Sequence, residues 1–477
     1  MKHDTHTSLT TLTALAVSLL VTGCVSGENY SMPVLDLPGL WHASETKALP
    51  AQVAETSEKP AEKSQPWWSS FHDDDLSALV EKALANNQNR KIAEARILEA
   101  RASRQSTASA LYPQVGISGT ANRGNNLGLP TEKPVSLYQA GFDASYEVDL
   151  FGGNQRRVEA AEASIQATEA AYQEVSLALT AEVAREYTGY RQLQHLLDLT
   201  RKTAESQQKL YDIARTKKAG GIVSGFDVTQ SETLLKTTNA RIPEIERQLA
   251  ASGNRLSILL GEAPGAAGDS LKEMKPVPVA ESVIALDAPA EIIARRPDIR
   301  NAERNLAAAT ALTGSAISEM YPKITLSALF GIQNTSLSGG GGIWSLGSSL
   351  FAPLLNFGRI EGQIKASEAR QTQAFHAYKQ TVLEALGEVE TALSNINKEN
   401  QTRLALQEAA DSAAKTVSAS RTRYQSGISD FTEVLQSEQQ LYEINSNLVA
   451  SEAKVSQYII ALYKALGSEI NTTVKTE

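Results

Sequence analysis

The chain repeats itself, and this duplication limits the folds it can adopt more than any other feature of the sequence. Arg215 to Glu232 and Arg421 to Glu438 are identical at eight of eighteen positions without gaps, at an offset of 206 residues. Two shorter pairs of matches keep nearly the same spacing: Phe151-Gly152 with Phe357-Gly358, and Tyr112-Pro113 with Tyr321-Pro322. Because the matches occur in the same order in both halves, the sequence predicts two copies of one unit.

Each half is predicted to contain a helix, two strands, a very long helix and a returning helix. In the first half, residues 74–111 favour the first of these helices. Residues 154–218 contain no proline and a single glycine, which predicts a helix roughly 100 Å long at about 1.5 Å per residue. Gly220 and Gly221 end it, and the returning helix is expected over residues 227–260. The second half repeats this order, with helices expected over residues 298–319, 360–425 and 430–466.

The long helices carry a seam with the rhythm of a coiled coil. In the first of them, residues spaced alternately by four and three form the seam: Ala161, Ile165, Thr168, Tyr172, Val175 and Leu179. Several of these side chains are small or polar, which suits a helix contacted from several sides, as in a wall of helices. One face of an ordinary antiparallel helix bundle would show the same periodicity, so both interpretations stay open at this point.

The segments between the helices alternate between apolar and polar residues, as β-strands do. From Tyr138 to Val148 the even-numbered residues are apolar and the odd-numbered residues are polar or glycine. The same alternation runs through residues 323–333 and 344–352, and a weaker one begins at Val115. Alternation over about ten residues is typical of a strand that crosses a bilayer, with one face toward lipid and the other toward a lumen. A soluble sheet with one face on a core would alternate too.

Four such strands cannot close a barrel, and open strand edges cannot stay in lipid. We therefore expect the chain to oligomerise, with three copies supplying twelve strands. Tyr138, Tyr146 and Trp344 are expected near strand ends, where aromatic side chains meet the membrane interface. Residues 122–134 and 334–342, which are rich in glycine, asparagine and serine, are expected to be loops.

The N-terminus predicts an exported protein with a lipid anchor. Residues 1–23 have the pattern of a secretory signal, in which Lys2 precedes an apolar stretch too short to span a bilayer. Val21-Thr22-Gly23-Cys24 resembles the lipobox of bacterial lipoproteins, whose cysteine is lipidated, although an ordinary signal peptide with a chance cysteine is the alternative. Val25 stands where an aspartate commonly marks retention in the inner membrane, so the expected destination is the outer membrane.

Composition and motifs argue against several other functions. The net charge of −9 argues against a surface that binds nucleic acid, and the single cysteine excludes an internal disulfide or a multi-cysteine metal site. The Ser-x-x-Lys pattern of β-lactamases occurs at Ser412 and Ser451, but in amphipathic helical sequence where chance explains it. His72, His195 and His376 are isolated from one another. We expect no enzymatic activity, no cofactor and no bound metal.

Three local motifs and the order of elements resemble the outer-membrane factor family of TolC and OprM, in particular its NodT-type efflux lipoprotein branch. The motifs are Trp67-Trp68-x-x-Phe71, then Leu76-x-x-Leu79-Val80-x-x-Ala83-Leu84, and in mid-chain Arg296-Pro297-Asp298-Ile299-Arg300-x-Ala302-Glu303. The resemblance covers nearly the whole mature chain. It implies an α+β membrane protein with a duplicated helix–strand–strand–helix unit, in which a homotrimer forms a twelve-stranded β-barrel continued by a long periplasmic α-helical barrel. It also implies docking to a periplasmic adaptor protein and an inner-membrane pump of the RND type.

The resemblance further assigns roles at the periplasmic end, where helix tips close the family's channels. Tyr424 and Glu433 match a tyrosine and an acid of the closed tip. Ser429 and Gln436 stand where the family has an arginine and a second acid, so this chain departs from the family's latch. Asp430 is a partial substitute, and Asp227 is the repeat mate of Glu433. The candidates for the periplasmic gate are therefore Tyr424, Asp430, Glu433 and Asp227.

The turns at the same tips are candidates for contact with the adaptor. They contain Gly220 and Gly221 in the first half and Gly427 in the second. Simpler roles stay open, because glycines commonly end helices and acids in a first helical turn complement the helix dipole.

The expected domain boundaries follow the repeat. They are a signal peptide over 1–23, a lipidated extended segment over 24–66, a first repeat over 67–263, a linker over 264–290, a second repeat over 291–467 and a tail over 468–477.

The expected function is the outer-membrane exit duct of a tripartite efflux system that exports small molecules such as drugs or toxic compounds. The expected location is the outer membrane of a Gram-negative bacterium, with a lipid anchor and an extension into the periplasm. The alternatives are the duct of a type I protein secretion system and a lipid-anchored periplasmic coiled-coil scaffold.

Overall fold

The computed structural model describes most of the chain, namely residues 25–39, 41, 53–55, 66–125, 134–280, 284–286 and 289–467. The predicted signal peptide 1–23, the lipidation site Cys24, the tail 468–477 and much of the segment 24–66 lie outside these residues. Two compact units form, each from three stretches of the chain. One takes the described residues within Met1–Leu35, Ala95–Ala170 and Arg300–Thr381; the other takes those within Asp36–Glu94, Ala171–Ile299 and Val382–Glu477. These units group residues by contact and not by sequence similarity, so the repeat boundaries stay a prediction.

The described residues contain nine α-helices and six strands. The helices are α1 (Asp74–Asn86), α2 (Gln88–Ala108), α3 (Gly153–Ala219), α4 (Gly225–Leu259), α5 (Ala266–Ser270), α6 (Pro289–Arg295), α7 (Pro297–Ser318), α8 (Arg359–Gln425) and α9 (Phe431–Ala465). The strands are β1 (Val53–Glu55), β2 (Gln114–Gly124), β3 (Val135–Val148), β4 (Ile284–Leu286), β5 (Lys323–Thr335) and β6 (Gly339–Phe351). Both long helices have 67 residues and both returning helices have 35. None of the described helices is long and apolar enough to cross a membrane.

The first predicted helix, residues 74–111, is interrupted at Asn87. This residue has an extended backbone, with φ −60° and ψ 130°, and it separates α1 from α2. Its Oδ1 accepts a hydrogen bond from the Arg90 amide at 3.1 Å, and its Nδ2 donates to the Leu259 carbonyl at 2.9 Å. A side chain that caps the following helix competes with continuation of the preceding one. The prediction of one uninterrupted helix is therefore wrong.

Four long strands form an antiparallel sheet in the order β2-β3-β5-β6. The register places Ile117 opposite Phe142, Phe142 opposite Phe330, and Phe330 opposite Trp344. Directly paired residues share a face, so these four side chains form one apolar row across the sheet. The weakly alternating run at Val115 belongs to the eleven-residue strand β2.

The hairpin between β5 and β6 is tighter than the sequence predicts. Residues 334–342 are predicted as a loop, but Gly339 to Gly342 pair with Thr335 to Ile332 and begin β6. Glycine lacks the side chain that reveals alternation, yet its backbone makes the same ladder hydrogen bonds as other residues. Because β6 begins this early, Trp344 lies in the middle of the strand, and the prediction that it lies near a strand end is wrong.

Each compact unit has its own packing. In the second unit, the motif Trp67-Trp68-x-x-Phe71 is buried in a large core, where the Trp67 ring stacks on Tyr463 with 5.3 Å between centroids. In the first unit, a smaller cluster consists of alanines from α3 and α7, with Tyr30 packed against it: Ala160, Ala163, Ala307, Ala308 and Ala311. Alanine contacts permit a close approach of the two helices, since little side chain separates the backbones.

Candidate functional site

The sheet has an apolar face that no described residue covers. Its central row is exposed: Ile117 by 78 %, Phe142 by 58 %, Phe330 by 70 % and Trp344 by 78 %. Leucines on the same face of β6 are equally open to solvent. A contiguous exposed apolar surface marks contact with another protein or with a membrane.

The opposite face of the sheet is mainly polar. In β3 it carries Gln139, Asp143 and Ser145, which alternate with the apolar row. Asp143 pairs with Gly116 on one side and with Leu329 on the other, and Leu329 is an apolar exception on this face. A Cβ atom at Gly116 would lie 3.4 Å from Asp143 Oδ2, so the glycine leaves room for the carboxylate. One apolar and one polar face suit a strand between lipid and a water-filled lumen.

The two long helices, α3 and α8, end in two separate turns that have the same conformation. Gly221 and Gly427 have φ angles of +73° and +72°, a conformation that favours glycine. After each glycine, an isoleucine amide donates back to the last helical turn: Ile222 to the Lys217 carbonyl at 2.9 Å, and Ile428 to the Arg423 carbonyl at 2.9 Å. These bonds satisfy carbonyls that the helix ends would otherwise leave free.

The ends of α3 and α8 and the starts of α4 and α9 form the helix tips, and Tyr424 is buried there. It packs with Phe431 at 4.9 Å between ring centroids, and Lys217 Nζ lies 3.9 Å from the centroid of the tyrosine ring. Its hydroxyl is buried and has no hydrogen-bond partner among the described residues. Burial raises the pKa of this hydroxyl, and the nearby Asp227 carboxylate raises it further. Val228, the residue after Asp227, packs against the apolar cluster that contains Tyr424.

The other acidic candidates lie at the start of α9. Asp430 is the residue before the helix, although its side chain makes no capping hydrogen bond. Glu433 lies in the first turn, and its Oε2 is 3.9 Å from Arg423 Nε with both side chains more than half exposed. Such an exposed pair contributes at most about 1 kcal/mol. The hydroxyl of Ser429 is buried and has no hydrogen-bond partner within the described part of the chain.

Residues 79–262 and 288–468 match the sequence profile of the family described as outer membrane efflux protein, one match in each half of the chain. The chain belongs to this outer membrane efflux protein family.

Known relatives match this efflux protein over nearly its full length. Nodulation protein T of Rhizobium leguminosarum bv. trifolii is 29 % identical over 464 residues, which cover 96 % of this chain and 97 % of that protein. Cation efflux system protein CusC of Escherichia coli (strain K12) is 28 % identical over 466 residues, covering 96 % and 98 %. The solved outer-membrane channel OprN superposes with a TM-score of 0.84 at 27 % identity, covering 94 % of this chain and 99 % of that one.

These likenesses confirm the predicted family, fold class and outer-membrane location of the efflux protein, and its function as an outer-membrane efflux channel. Among the described residues, no group of three or more histidine, cysteine or acidic side chains is placed to hold a metal ion.

Sequence reasoning missed three residues of this efflux channel's tips. Lys217 and Phe431 enclose Tyr424, and Arg423 contacts Glu433. The repeat held a usable signal, since Lys217 and Arg423 occupy equivalent positions at the offset of 206 residues. Phe431 gave no such signal, because its repeat mate is Gly225.

Proposed function

We propose that three copies of this efflux channel join their sheets into one twelve-stranded barrel, which is the exit duct of a tripartite efflux system. The edge strands support the assembly: within the described residues, β2 pairs only with β3, and β6 only with β5. An unpaired edge leaves backbone N–H and C=O groups without partners, which is costly in lipid. Single-chain barrels have about eight strands or more, so four strands need partners from other copies.

The duct is proposed to be a passive conduit for small molecules such as drugs or toxic compounds. The mainly polar face of the sheet, with Gln139 and Asp143, would line a hydrophilic passage inside the barrel. The channel performs no catalysis, and a pump in the inner membrane supplies the energy. The name of CusC as a cation efflux system protein supports a small solute as cargo.

The turns at Gly220, Gly221 and Gly427 are proposed to contact a periplasmic adaptor, which links the duct to an inner-membrane pump of the RND type. The isoleucines that follow these turns support a docking role. Ile222 is 72 % exposed and Ile428 is 69 % exposed. Equivalent apolar side chains on two equivalent turns suit a partner that contacts both tips.

The tip acids are proposed to form the periplasmic gate of the trimer. Three copies of Glu433 around the channel axis would repel one another and attract cations, which gives a cation-selective constriction. The exposure of Glu433 and its long contact to Arg423 leave its carboxylate accessible to ions. Asp430, Asp227 and Tyr424 are proposed to complete the gate.

Lipidation of Cys24 is proposed to anchor the chain in the outer-membrane lipid. The first described residues after it are held at the junction between β3 and α3. The Ser26 amide donates to the Phe151 carbonyl at 2.9 Å. Arg156, which is 2 % exposed, donates from Nε to the Ser26 carbonyl at 3.0 Å. This attachment would keep a lipidated residue 24 beside the end of a membrane strand.

The proposal rests on the exposed two-faced sheet with unpaired edges, and reconstitution tests it. Purified protein should run as a heat-modifiable trimer and give discrete ion currents in a planar bilayer. Deletion of the gene should increase drug susceptibility, and the intact gene should restore resistance. Glu433→Ala should keep the current and reduce its cation preference. A stable monomer that never conducts ions would contradict the duct, whereas unchanged selectivity in Glu433→Ala would contradict only the gate.

A further inference from the structure

A groove between α3, α4 and α9 has the construction of a small-molecule site. Its volume is about 480 Å³, which falls within the usual range of ligand pockets. Phe226, Leu234 and Leu435 contribute apolar surface to its walls. Phe226 is 69 % exposed, so a large aromatic face is open to a molecule that enters the groove.

One buried polar atom in this groove has no partner. Gln207 lines the groove and is 2 % exposed. Its Oε1 has no hydrogen-bond partner among the residues that the structure describes. A buried acceptor that lost its water without gaining a donor is unfavourable. An N–H or O–H group of a ligand in the groove would correct this deficit.

The charges around the groove select against cations. Of the described side chains that line it, none is a carboxylate, and Arg241 brings a positive charge. The guanidinium carbon of Arg241 lies 4.8 Å from the ring centroid of Tyr442, so this charge is already engaged with an aromatic face. Gln439 Nε2 donates to Glu443 at 3.1 Å. Gln207 Oε1 therefore needs one hydrogen-bond donor from a ligand that also fits apolar walls, and the ligand needs no charge.

We propose that this groove binds a neutral aromatic molecule that carries one N–H or O–H donor. The donor binds Gln207 Oε1, and the ring lies against Phe226 and Leu435. Because α4 and α9 both line the groove, a bound molecule bridges the two returning helices. The four gate candidates and the three turn glycines do not line the groove, although Phe226 directly precedes Asp227 in the chain.

Thiol protection tests this site in the assembled, full-length protein, with N-phenyl-1-naphthylamine as the probe. Thr233→Cys places a thiol in the groove, where the native hydroxyl is exposed and donates only to the Thr229 carbonyl at 2.9 Å. Asn239→Cys places an exposed thiol on the same helix outside the groove. Peptide mass spectrometry after maleimide treatment separates either label from any label on Cys24.

The probe should slow labelling of Thr233→Cys at least about fivefold in a saturable manner, and leave Asn239→Cys unchanged. Adding Gln207→Met should raise the half-protecting concentration about tenfold, the usual effect of one lost hydrogen bond to a buried acceptor. Gln208→Met is the matched control, because Gln208 is an exposed neighbour that donates to Asp212. The N-methylated probe, which has no N–H donor, should bind the Gln207→Met protein as well as it binds the parent.

Phe226→Ser gives a second variant if Gln207→Met does not assemble, since it removes an exposed wall and should also weaken protection about tenfold. Three results would overturn the proposal. The first is no saturable protection of Thr233→Cys, and the second is equal protection of Asn239→Cys, which shows non-specific coating. The third is a Thr233→Cys thiol that stays unreactive without the probe, which shows that another helix covers the groove in the assembly.

Discussion

The helix tips bury their aromatic side chains, whereas the sheet exposes those on its apolar face. At the tips, Phe431 is 3 % exposed and Tyr424 is 6 % exposed, because helices of the same chain enclose them. In the sheet, Phe142 and Phe330 are 58 % and 70 % exposed. The tips therefore need no other molecule for burial of these rings. The rings in the sheet are not covered by any described residue, and the proposed barrel would cover them with lipid.

The two regions also differ in which polar groups have no hydrogen-bond partner among the described residues. In the sheet they are backbone groups along the outer edges of β2 and β6, which another strand can satisfy. Among the described residues of the tips, they are two buried side-chain hydroxyls, those of Tyr424 and Ser429. A change in the sheet should consequently act on assembly, whereas a change at the tips should act on local stability.

The largest expected effect comes from a charge on the apolar face of the sheet. Phe142→Arg should cost about 2–4 kcal/mol per copy, because an arginine would have to face hydrocarbon. Heat-modifiable trimers in the outer-membrane fraction should nearly disappear. Gln139→Arg, three residues away on the polar face, is the matched control and should leave the trimer yield almost unchanged. Similar losses in both variants would show that the two faces are not distinguished by lipid.

A smaller and strictly local effect is expected from a change in the buried cluster at the helix tips, which contains Tyr424 and Phe431. Phe431→Ala should destabilise the tip by about 3 kcal/mol, since it removes a buried ring that packs on Tyr424. Hydrogen exchange should become faster in the first turns of α9 while the amides of β3 keep their protection. Phe226→Ala removes an exposed ring in α4 and should have little effect. Loss of trimers in Phe431→Ala would contradict the separation between sheet and tips.

The turn glycines should show an intermediate effect that depends on φ. Gly427→Ala should cost about 1–2 kcal/mol, because a side chain is unfavourable at a φ of +72°. Gly220→Ala is the control, since Gly220 has no positive φ and a Cβ atom there meets Ile222 Cδ1 at an ordinary 3.6 Å. Thermal unfolding of the two variants measures the difference. Equal costs would show that the turn conformation is not the cause.

The smallest expected effect is a pH dependence from Tyr424. Burial, and then the Asp227 carboxylate, raise the pKa of this hydroxyl above the ordinary tyrosine value of 10.0. The neutral hydroxyl is the favoured form in the folded tip, so its contribution is complete below pH 10 and declines as pH rises through the higher folded pKa. Between pH 9 and pH 11 the wild type should thus lose slightly more thermal stability than Tyr424→Phe. Equal losses would contradict a buried Tyr424.

The two faces of the sheet could be predicted because alternation is a local property of each strand. Tyr138 to Val148 already show which side chains share a face, and the long helices follow from the near absence of proline and glycine. Asparagine is a common helix cap, and Asn87 Oδ1 does cap α2 locally, but the contact of its Nδ2 with the Leu259 carbonyl, far along the chain, could not be predicted in this way. Local propensity carries no information on such a contact.

The helix tips were harder to predict from the sequence than the sheet, because their packing also depends on residues that are far apart in the chain. The repeat places Tyr424, Asp227 and Glu433 at a common end of the helices, and in the structure Val228, next to Asp227, packs against the cluster that contains Tyr424. Burial of the Tyr424 ring depends on Lys217 and Phe431, which belong to two other helices. Only the three-dimensional arrangement shows that this tyrosine is enclosed. Its role in a gate stays a prediction, together with the roles of Asp430 and Glu433.

Cross-linking between the two edges of the sheet tests the central claim most directly. Ser118→Cys in β2 can be combined in turn with Ser345→Cys and with Ser349→Cys in β6, and treated with a short bis-maleimide in intact outer membranes. If β2 of one copy pairs with β6 of the next in a closed ring of three, a denaturing gel should show a covalent ladder that ends at three copies. A ladder that extends beyond three copies, or monomers alone in all combinations, would contradict the trimeric barrel.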